Sequence, residues 1–292
     1  MAHPLSAHPD AALEYWFFKV NAGPVALLVD WIVRRRDRSQ PNGRPAIVRL
    51  SVHSPLKRAV LHQDVAEADL LEEVGQLPGR TAGRIGDVEW ALEGELVDGW
   101  IAPDVFPAGA LRMADLSLVS APRVVFNGWV EVQGRRTEVA GAPGMMSHYW
   151  GRNLPREWWW ISAGPFDRPE FVVECAALRT GLWGWPIHVP MAYLYLKHEG
   201  RRRLLTSPPQ RVAARGSPDS FEVRFRDVTG RSIRLLGRGR DYADLGERIV
   251  NTLVGDLVVW EGGRMLGRAE GSAGLERRRP PRGARLYGTS QG

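Results

Sequence analysis

Three ionisable side chains stand in sequence surroundings where a charge is costly. Asp30 lies in the apolar run LLVDW, Glu174 lies in FVVEC, and His148 lies in the loop GMMSHYWG. A carboxyl group removed from water has a raised pKa and can donate a proton near neutral pH, where histidine also exchanges protons. These three residues are the predicted catalytic residues. The alternatives are an acid that pairs with an arginine or faces solvent, and a histidine with a structural role.

Aromatic side chains accompany these candidates. The chain has 12 Trp, and three of them are consecutive in REWWWIS. An indole combines a large apolar surface with a face that attracts cations. In an extended strand Trp158 and Trp160 share one face with Ser162, and Trp159 lies on the other. The predicted substrate-binding residues are Tyr15, Phe17, Trp31, Trp150, Trp158 and Trp160. The alternative is that the triple Trp only fills a core or an interface.

Other chemistries lack their sequence patterns. The histidines show neither the H-x-H nor the H-E-x-x-H spacing of zinc sites, and Cys175 is the single cysteine. The segment 237–239, GRG, lacks the third glycine of a dinucleotide loop, and no Walker A pattern occurs. Ser147 does not stand in a G-x-S-x-G elbow. We therefore expect no metal and no cofactor.

Charge and composition narrow the class of partner. The net charge is +6 and the pI is about 9.9, but the arginines are scattered along the chain. A nucleic-acid-binding protein would be expected to cluster them on one element, so no nucleic acid is expected. The basic end of the chain leaves open a peripheral contact with anionic lipid. One cysteine and no visible signal peptide fit the cytoplasm, and the oligomeric state is not determined.

Most apolar segments are short and bounded by Gly, Pro or Asp, which is typical of strands. Only residues 65–75 have the periodicity of a helix. The pattern EYWFFK, a Gly-Pro turn and an apolar strand recurs about 143 residues later as EWWWIS, Gly-Pro and FVVE. We therefore predict an all-β chain with two tandem lipocalin-like antiparallel β-barrel or sandwich domains and one short helix. The predicted domains are 1–142 and 143–276, followed by a basic disordered tail, 277–292.

The aromatic motifs resemble those of a known family. EYWFF at 14–18, HYWG at 148–151 and PREWWWI at 155–161 are similar to motifs of the tandem lipocalin-like proteins, and GRAEGSAGLE at 267–276 is similar to their ending. This family includes carotenoid 1,2-hydratases, tocopherol cyclases, AttH-like proteins, plant-defence hydratases and fungal Diels–Alderases. The resemblance spans about residues 12–276. It implies a pocket for a large apolar molecule in or between two β-barrels, without metal or nucleotide.

The resemblance also implies a class of reaction. Hydratases and cyclases of the family protonate an alkene with a carboxylic acid while aromatic rings shelter the cation, and pericyclic members position a polyene. Several hydratases carry an acid just ahead of the central His, where this chain has Ser147. The donor here is then His148, Asp30 or Glu174, or none is needed. We expect a cyclase or hydratase acting on an isoprenoid or polyketide-derived polyene. The alternatives are a non-catalytic carrier of an apolar ligand and a structural interaction module.

Overall fold

The structure is a computed structural model that describes most of the chain. The described residues are 4–35, 46–76, 79–102, 116–152, 154–164, 167–168, 170–182, 185–207, 210–217, 219–227, 229–246 and 248–278. The predicted fold class is confirmed: two nearly closed antiparallel β-barrels follow one another along the chain, with one helix among the described residues. The first compact unit holds the described residues up to 102 and those of 116–154, and the second holds those from 155 onward.

The first unit is an eight-stranded antiparallel sheet. Its strands lie side by side in the order β4-β3-β2-β1-β8-β7-β6-β5, so the opening strand is central and pairs with β2 and β8. The elements are β1 (Leu13–Ala22), β2 (Val25–Arg34), β3 (Ala46–His53), β4 (Arg58–Val65), α1 (Glu67–Gly75), β5 (Arg80–Ile85), β6 (Val88–Leu96), β7 (Leu116–Val132) and β8 (Arg135–Gly151).

The second unit is a ten-stranded sheet with the order β12-β11-β10-β9-β18-β17-β15-β14-β13, and β16 pairs with β17. Its opening strand β9 again lies at the centre of the order. The elements are β9 (Glu157–Ala163), β10 (Val172–Leu182), β11 (Trp185–His198), β12 (Arg201–Ser207), β13 (Arg211–Gly216), β14 (Ser220–Arg226), β15 (Ser232–Arg238), β16 (Ala243–Gly246), β17 (Ile249–Glu261) and β18 (Arg264–Arg278).

The internal repeat seen in the sequence is present in the fold. In each unit the first strand pairs with the second strand on one side and with the last strand of the unit on the other. EYWFFK lies on β1 and EWWWIS lies on β9. Trp16 and Trp159 hold equivalent positions, and both belong to the buried core of their own unit.

Strand alternation builds each core. On β1 the even-numbered residues Trp16, Phe18 and Val20 are buried in the core of the first unit, as expected when side chains alternate across a strand. The helix α1 was predicted at 65–75 and lies at 67–75, where it contributes Leu70 and Val74 to that core. Across the described ranges, no helix is both long and apolar enough to cross a membrane.

Two observed boundaries differ from the predicted ones, because two strands extend beyond the apolar runs seen in the sequence. β8 continues to Gly151 and pairs with both β1 and β7, so the junction predicted at 142–143 lies inside this strand. The units divide instead at 154–155. β18 continues to Arg278, so the first two residues of the predicted tail are strand residues. The remainder of that tail, 279–292, lies outside the described residues.

Candidate functional site

The predicted site residues lie on three different surfaces, which follow from strand alternation and register. The inner side of the first barrel carries His148, Trp31 and Trp150. The outer side of β1 and β2 carries Tyr15, Phe17 and Asp30. The outer side of β9 and β10, in the second unit, carries Trp158, Trp160 and Glu174. The structure therefore places the residues in three groups, each of two aromatics with one ionisable residue.

On the inner side of the first barrel, His148 of β8 lies opposite Trp16 of β1. The two rings stack with centroids 4.7 Å apart and planes 11° apart, and the Trp150 ring centroid is also 4.7 Å from the imidazole. His148 Nε2 lies 3.3 Å from Glu14 Oε1. Neither side chain has exposed surface. An imidazole and a carboxylate are thus enclosed together by two indoles.

Both members of this pair have further hydrogen-bond partners. His148 Nδ1 lies 2.9 Å from the Pro4 carbonyl oxygen, which can only accept, so Nδ1 carries a proton. Burial raises the pKa of Glu14, but His148, the His8 amide and Arg35 outweigh it and hold the pKa below its ordinary value. An ionised Glu14 also only accepts. Glu14 therefore offers a negative charge to each group that contacts it.

The N-terminal segment, residues 4–8, covers the Glu14–His148 pair. The Leu5 carbonyl accepts a hydrogen bond from Trp16 Nε1 at 3.0 Å, and the His8 backbone N–H donates to Glu14 Oε1 at 2.7 Å. The His8 ring stacks on Trp150 with centroids 4.1 Å apart. Sequence reasoning missed His8, since nothing in its spacing points to β8. His148 can reach a substrate only if this segment opens, so its catalytic role stays a prediction.

Glu14 binds an arginine as well as the His8 amide. Arg35 Nη1 lies 2.5 Å from Glu14 Oε2. We expect Glu14→Gln to lower the free energy of unfolding by about 3 kcal/mol, because the buried Arg35 guanidinium loses its counter-charge. Urea denaturation at pH 7 measures this, and hydrogen exchange at residues 5–8 reports release of the segment. The lowered pKa means that this stabilisation is lost as pH falls through that pKa.

The matched control is Glu138→Gln. Glu138 pairs with Arg136 on the exposed part of β8 in the same unit, and exposed ion pairs contribute little. We expect no measurable change in unfolding for this variant. Equal effects of the two substitutions would contradict the anchoring role of Glu14.

The outer side of β1 and β2 is also buried, although the outer side of a barrel ordinarily meets water. Asp30 is 3% exposed, and Tyr15 is 7% exposed. Arg49 on β3 contacts Asp30 Oδ2 through Nε and Nη2, each at 2.6 Å. Burial raises the pKa of Asp30, and the charge of Arg49 opposes this rise. Asp30 is therefore paired with an arginine, as the alternative interpretation expected, and its carboxyl group still holds a proton more readily than an ordinary aspartate.

Lys19 is the ionisable residue on this side that sequence reasoning missed. It ends the aromatic run EYWFFK, and its odd-numbered position on β1 places it on the side of Tyr15 and Phe17. Only 2% of Lys19 is exposed, and burial lowers its pKa to about 7. A lysine with such a pKa can accept or donate a proton at neutral pH. The alternation of β1 was the signal that could have found it.

In the second unit, Glu174 of β10 lies opposite Ser162 of β9 and is fully buried. The Tyr193 hydroxyl donates a hydrogen bond to Glu174 Oε1 at 2.8 Å. Burial and the neighbouring carboxylate raise the pKa of Tyr193 well above its ordinary value. This tyrosine therefore remains a donor at neutral pH.

The triple Trp divides between the two sides of β9, as alternation predicts. Trp159 enters the core, where its ring stacks on Phe221 with centroids 4.7 Å apart. Trp158 lies on the outer side, where its Nε1 donates to Glu276 Oε1 at 2.7 Å. Trp160 lies on the side of Trp158, and only 8% of it is exposed.

The second barrel has a related inner cluster whose residues opposite the central Trp differ. Glu157 and Trp159 correspond to Glu14 and Trp16, but the residue opposite Trp159 is Arg277. The Arg277 guanidinium lies 4.1 Å from the centroid of the Trp159 ring. Burial raises the pKa of Glu157, against the charges of Arg179 and Arg277. The first cluster has a histidine where the second has an arginine, and an arginine does not exchange protons near neutral pH.

In the described part of the chain, no group of three or more His, Cys, Asp or Glu residues could hold a metal ion.

A family model described as tocopherol cyclase-like matches residues 118–207, a segment that runs from β7 in the first unit to β12 in the second. Comparison with curated proteins gives no match.

Solved structures match over almost the whole chain. An AttH-type protein from Nitrosomonas europaea has 14% identity and a TM-score of 0.60, with 95% of this chain and 96% of that chain covered. Kievitone hydratase from Nectria haematococca has 9% identity and a TM-score of 0.58, with 94% and 90% covered. CghA, solved with Sch210972, has 12% identity and a TM-score of 0.63, with 94% and 90% covered. These matches confirm the predicted resemblance at the level of the fold.

Proposed function

We propose, from the shared fold of the tandem lipocalin-like proteins and the match to a tocopherol cyclase-like model, that this chain is a cyclase or hydratase. Its proposed substrate is a hydrophobic isoprenoid or polyketide-derived polyene. The support from the comparisons is that similar structures include a hydratase and a Diels–Alderase. The position of the active site is proposed from the residues of this chain.

The observation that carries the proposal is the buried carboxyl group of Asp30 on the outer side of a barrel. Asp30 lies directly opposite Phe17, and Phe17 is the half-buried position of an otherwise buried β1. Tyr15 lies on the same side. A raised pKa makes Asp30 a proton donor, and the two aromatic faces are suited to a carbocation. The acid and the two aromatic rings therefore lie on the same side of β1 and β2.

In the proposed reaction the Asp30 carboxyl group donates its proton to a C=C bond, and a carbocation forms beside Tyr15 and Phe17. The resulting carboxylate is stabilised by the Arg49 guanidinium. In a cyclisation, a second C=C bond attacks the cation, and loss of a proton to Asp30 completes an isomerisation. In a hydration, water attacks the cation and its released proton returns to Asp30. Each aromatic ring contributes about 0.5–2 kcal/mol to a desolvated cation.

Glu174 and His148 are the two other predicted proton donors. Glu174 lies in the second unit with Trp158 and Trp160 on its side of the sheet. His148 lies beneath the N-terminal segment. Pericyclic chemistry needs no proton donor and depends on positioning alone. Substitution of each residue in turn separates these possibilities.

The first experiment offers purified full-length protein a panel of isoprenoid and polyketide polyenes and analyses the products by mass spectrometry. We expect a product of unchanged mass from a cyclisation, or one heavier by a water molecule from a hydration. Conversion should survive EDTA and gel filtration, since no metal or cofactor is expected. Saturable binding of a polyene that is always recovered unchanged would favour the carrier and contradict the proposed enzyme.

A further inference from the structure

The seam between the edge strands is closed differently in the two barrels. In the first barrel, β4 and β5 end the strand order, and residues 66–79 between them include α1. This helix places Leu70 and Val74 in the core. In the second barrel, β12 and β13 end the strand order, and only residues 208–210 separate them.

A cleft of about 410 Å³ lies at the second seam. Its floor includes Ala177 and Ala214, which belong to the buried core of the second unit, and its walls include Met191 and Val212. The volume lies within the range of small-molecule sites, which are lined mainly by apolar side chains. Both floor residues are alanines, so no large side chain from these two positions fills the cleft.

One end of the cleft is polar. Gln210 Oε1 is buried and accepts no hydrogen bond from the described residues, and a buried acceptor of this kind ordinarily has a donor. Arg211 also lines the cleft and is exposed. A hydroxyl group can donate to the carboxamide oxygen, which an ether oxygen cannot do.

We infer that this cleft binds an apolar alcohol. The hydrocarbon chain lies on Ala177, Val212 and Ala214, where it takes the role that the α1 side chains have in the first barrel. The hydroxyl group donates to Gln210 Oε1. The site contains none of the residues of the proposed catalytic face, so it can be tested whether or not the chain is an enzyme.

The test titrates the full chain with decan-1-ol and with methyl nonyl ether, which has the same atoms but no hydroxyl donor, by calorimetry. We expect the alcohol to bind about tenfold more tightly than the ether. Gln210→Met should remove this difference and leave binding of the ether unchanged. Ala214→Leu should lower the affinity for both probes at least tenfold by filling the cleft. Ala82→Leu, at the cleft beside α1 in the first barrel, is the control and should change neither.

Several results would overturn the inference. They are the absence of saturable binding, equal affinities for alcohol and ether in the unsubstituted chain, or tighter binding of decanoate, which would make the site one for anions. Thermal unfolding checks that Ala214→Leu is folded. If it is not, Ala177→Val gives the same test with one smaller added group, and unchanged binding of decan-1-ol by a folded Ala177→Val variant would contradict the site.

Discussion

Asp30→Asn is expected to lower kcat of the proposed conversion by about 10²–10⁴-fold, the usual contribution of a general acid. Asparagine keeps the size of the side chain and an oxygen that can accept from Arg49, but it cannot donate a proton to an alkene. The donor must be protonated, so activity of the unsubstituted protein should fall as pH rises through the raised pKa of Asp30. The residual activity of Asp30→Asn should lack this fall.

Glu174→Gln and His148→Gln are the matched comparisons for this result. If Asp30 is the donor, both variants should keep their pH profile and most of their kcat. A large loss in either one, with Asp30→Asn active, would assign the donor to that residue instead. If Asp30→Asn loses activity but keeps the pH profile, Asp30 is not the donor and acts only by positioning the Arg49 side chain. Circular dichroism and thermal unfolding of each variant separate loss of fold from loss of chemistry.

Lys19→Met is expected to stabilise the protein at pH 7 and to change how stability depends on pH. Burial lowers the pKa of Lys19 from 10.5 to about 7. Between these values the unfolded chain binds the proton and the folded chain does not, so stability of the unsubstituted protein rises with pH. From pH 7 to pH 9.5 this rise amounts to about 3 kcal/mol, at 1.36 kcal/mol for each pH unit. The methionine variant lacks it.

Urea denaturation of both proteins at pH 7, 8 and 9.5 measures this effect, because the contributions of other groups cancel in the difference. The advantage of Lys19→Met should shrink by about 3 kcal/mol over that range. Lys57→Met is the control, since Lys57 forms a surface ion pair with Asp87, and it should show no such trend. An advantage that grows with pH would mean that a buried carboxylate raises the pKa of Lys19, contrary to our description.

Alternation along short strands was enough to predict much of this protein. Short apolar runs with period two and a repeated aromatic strand indicated two tandem β-domains, and both are present. The same alternation separated Trp159 from Trp158 and Trp160, because successive side chains of any strand point to opposite sides. Alternation also places Lys19 on the same side of β1 as Tyr15 and Phe17. These properties depend on neighbours along the chain, which the sequence displays directly.

The partners of the ionisable residues depended on strand register and on contacts between distant segments. Asp30 pairs with Arg49 because of the register between β2 and β3, and the hydrogen bond between Pro4 and His148 joins residues 144 positions apart. Burial on the outer side of a barrel cannot be read from alternation, which identifies a side without saying what covers it. The sequence by itself determined the strands, their repeat and the side on which each residue lies. Only the tertiary structure decided which charges are paired and buried, because pKa values and access depend on desolvation and on charges brought close by folding.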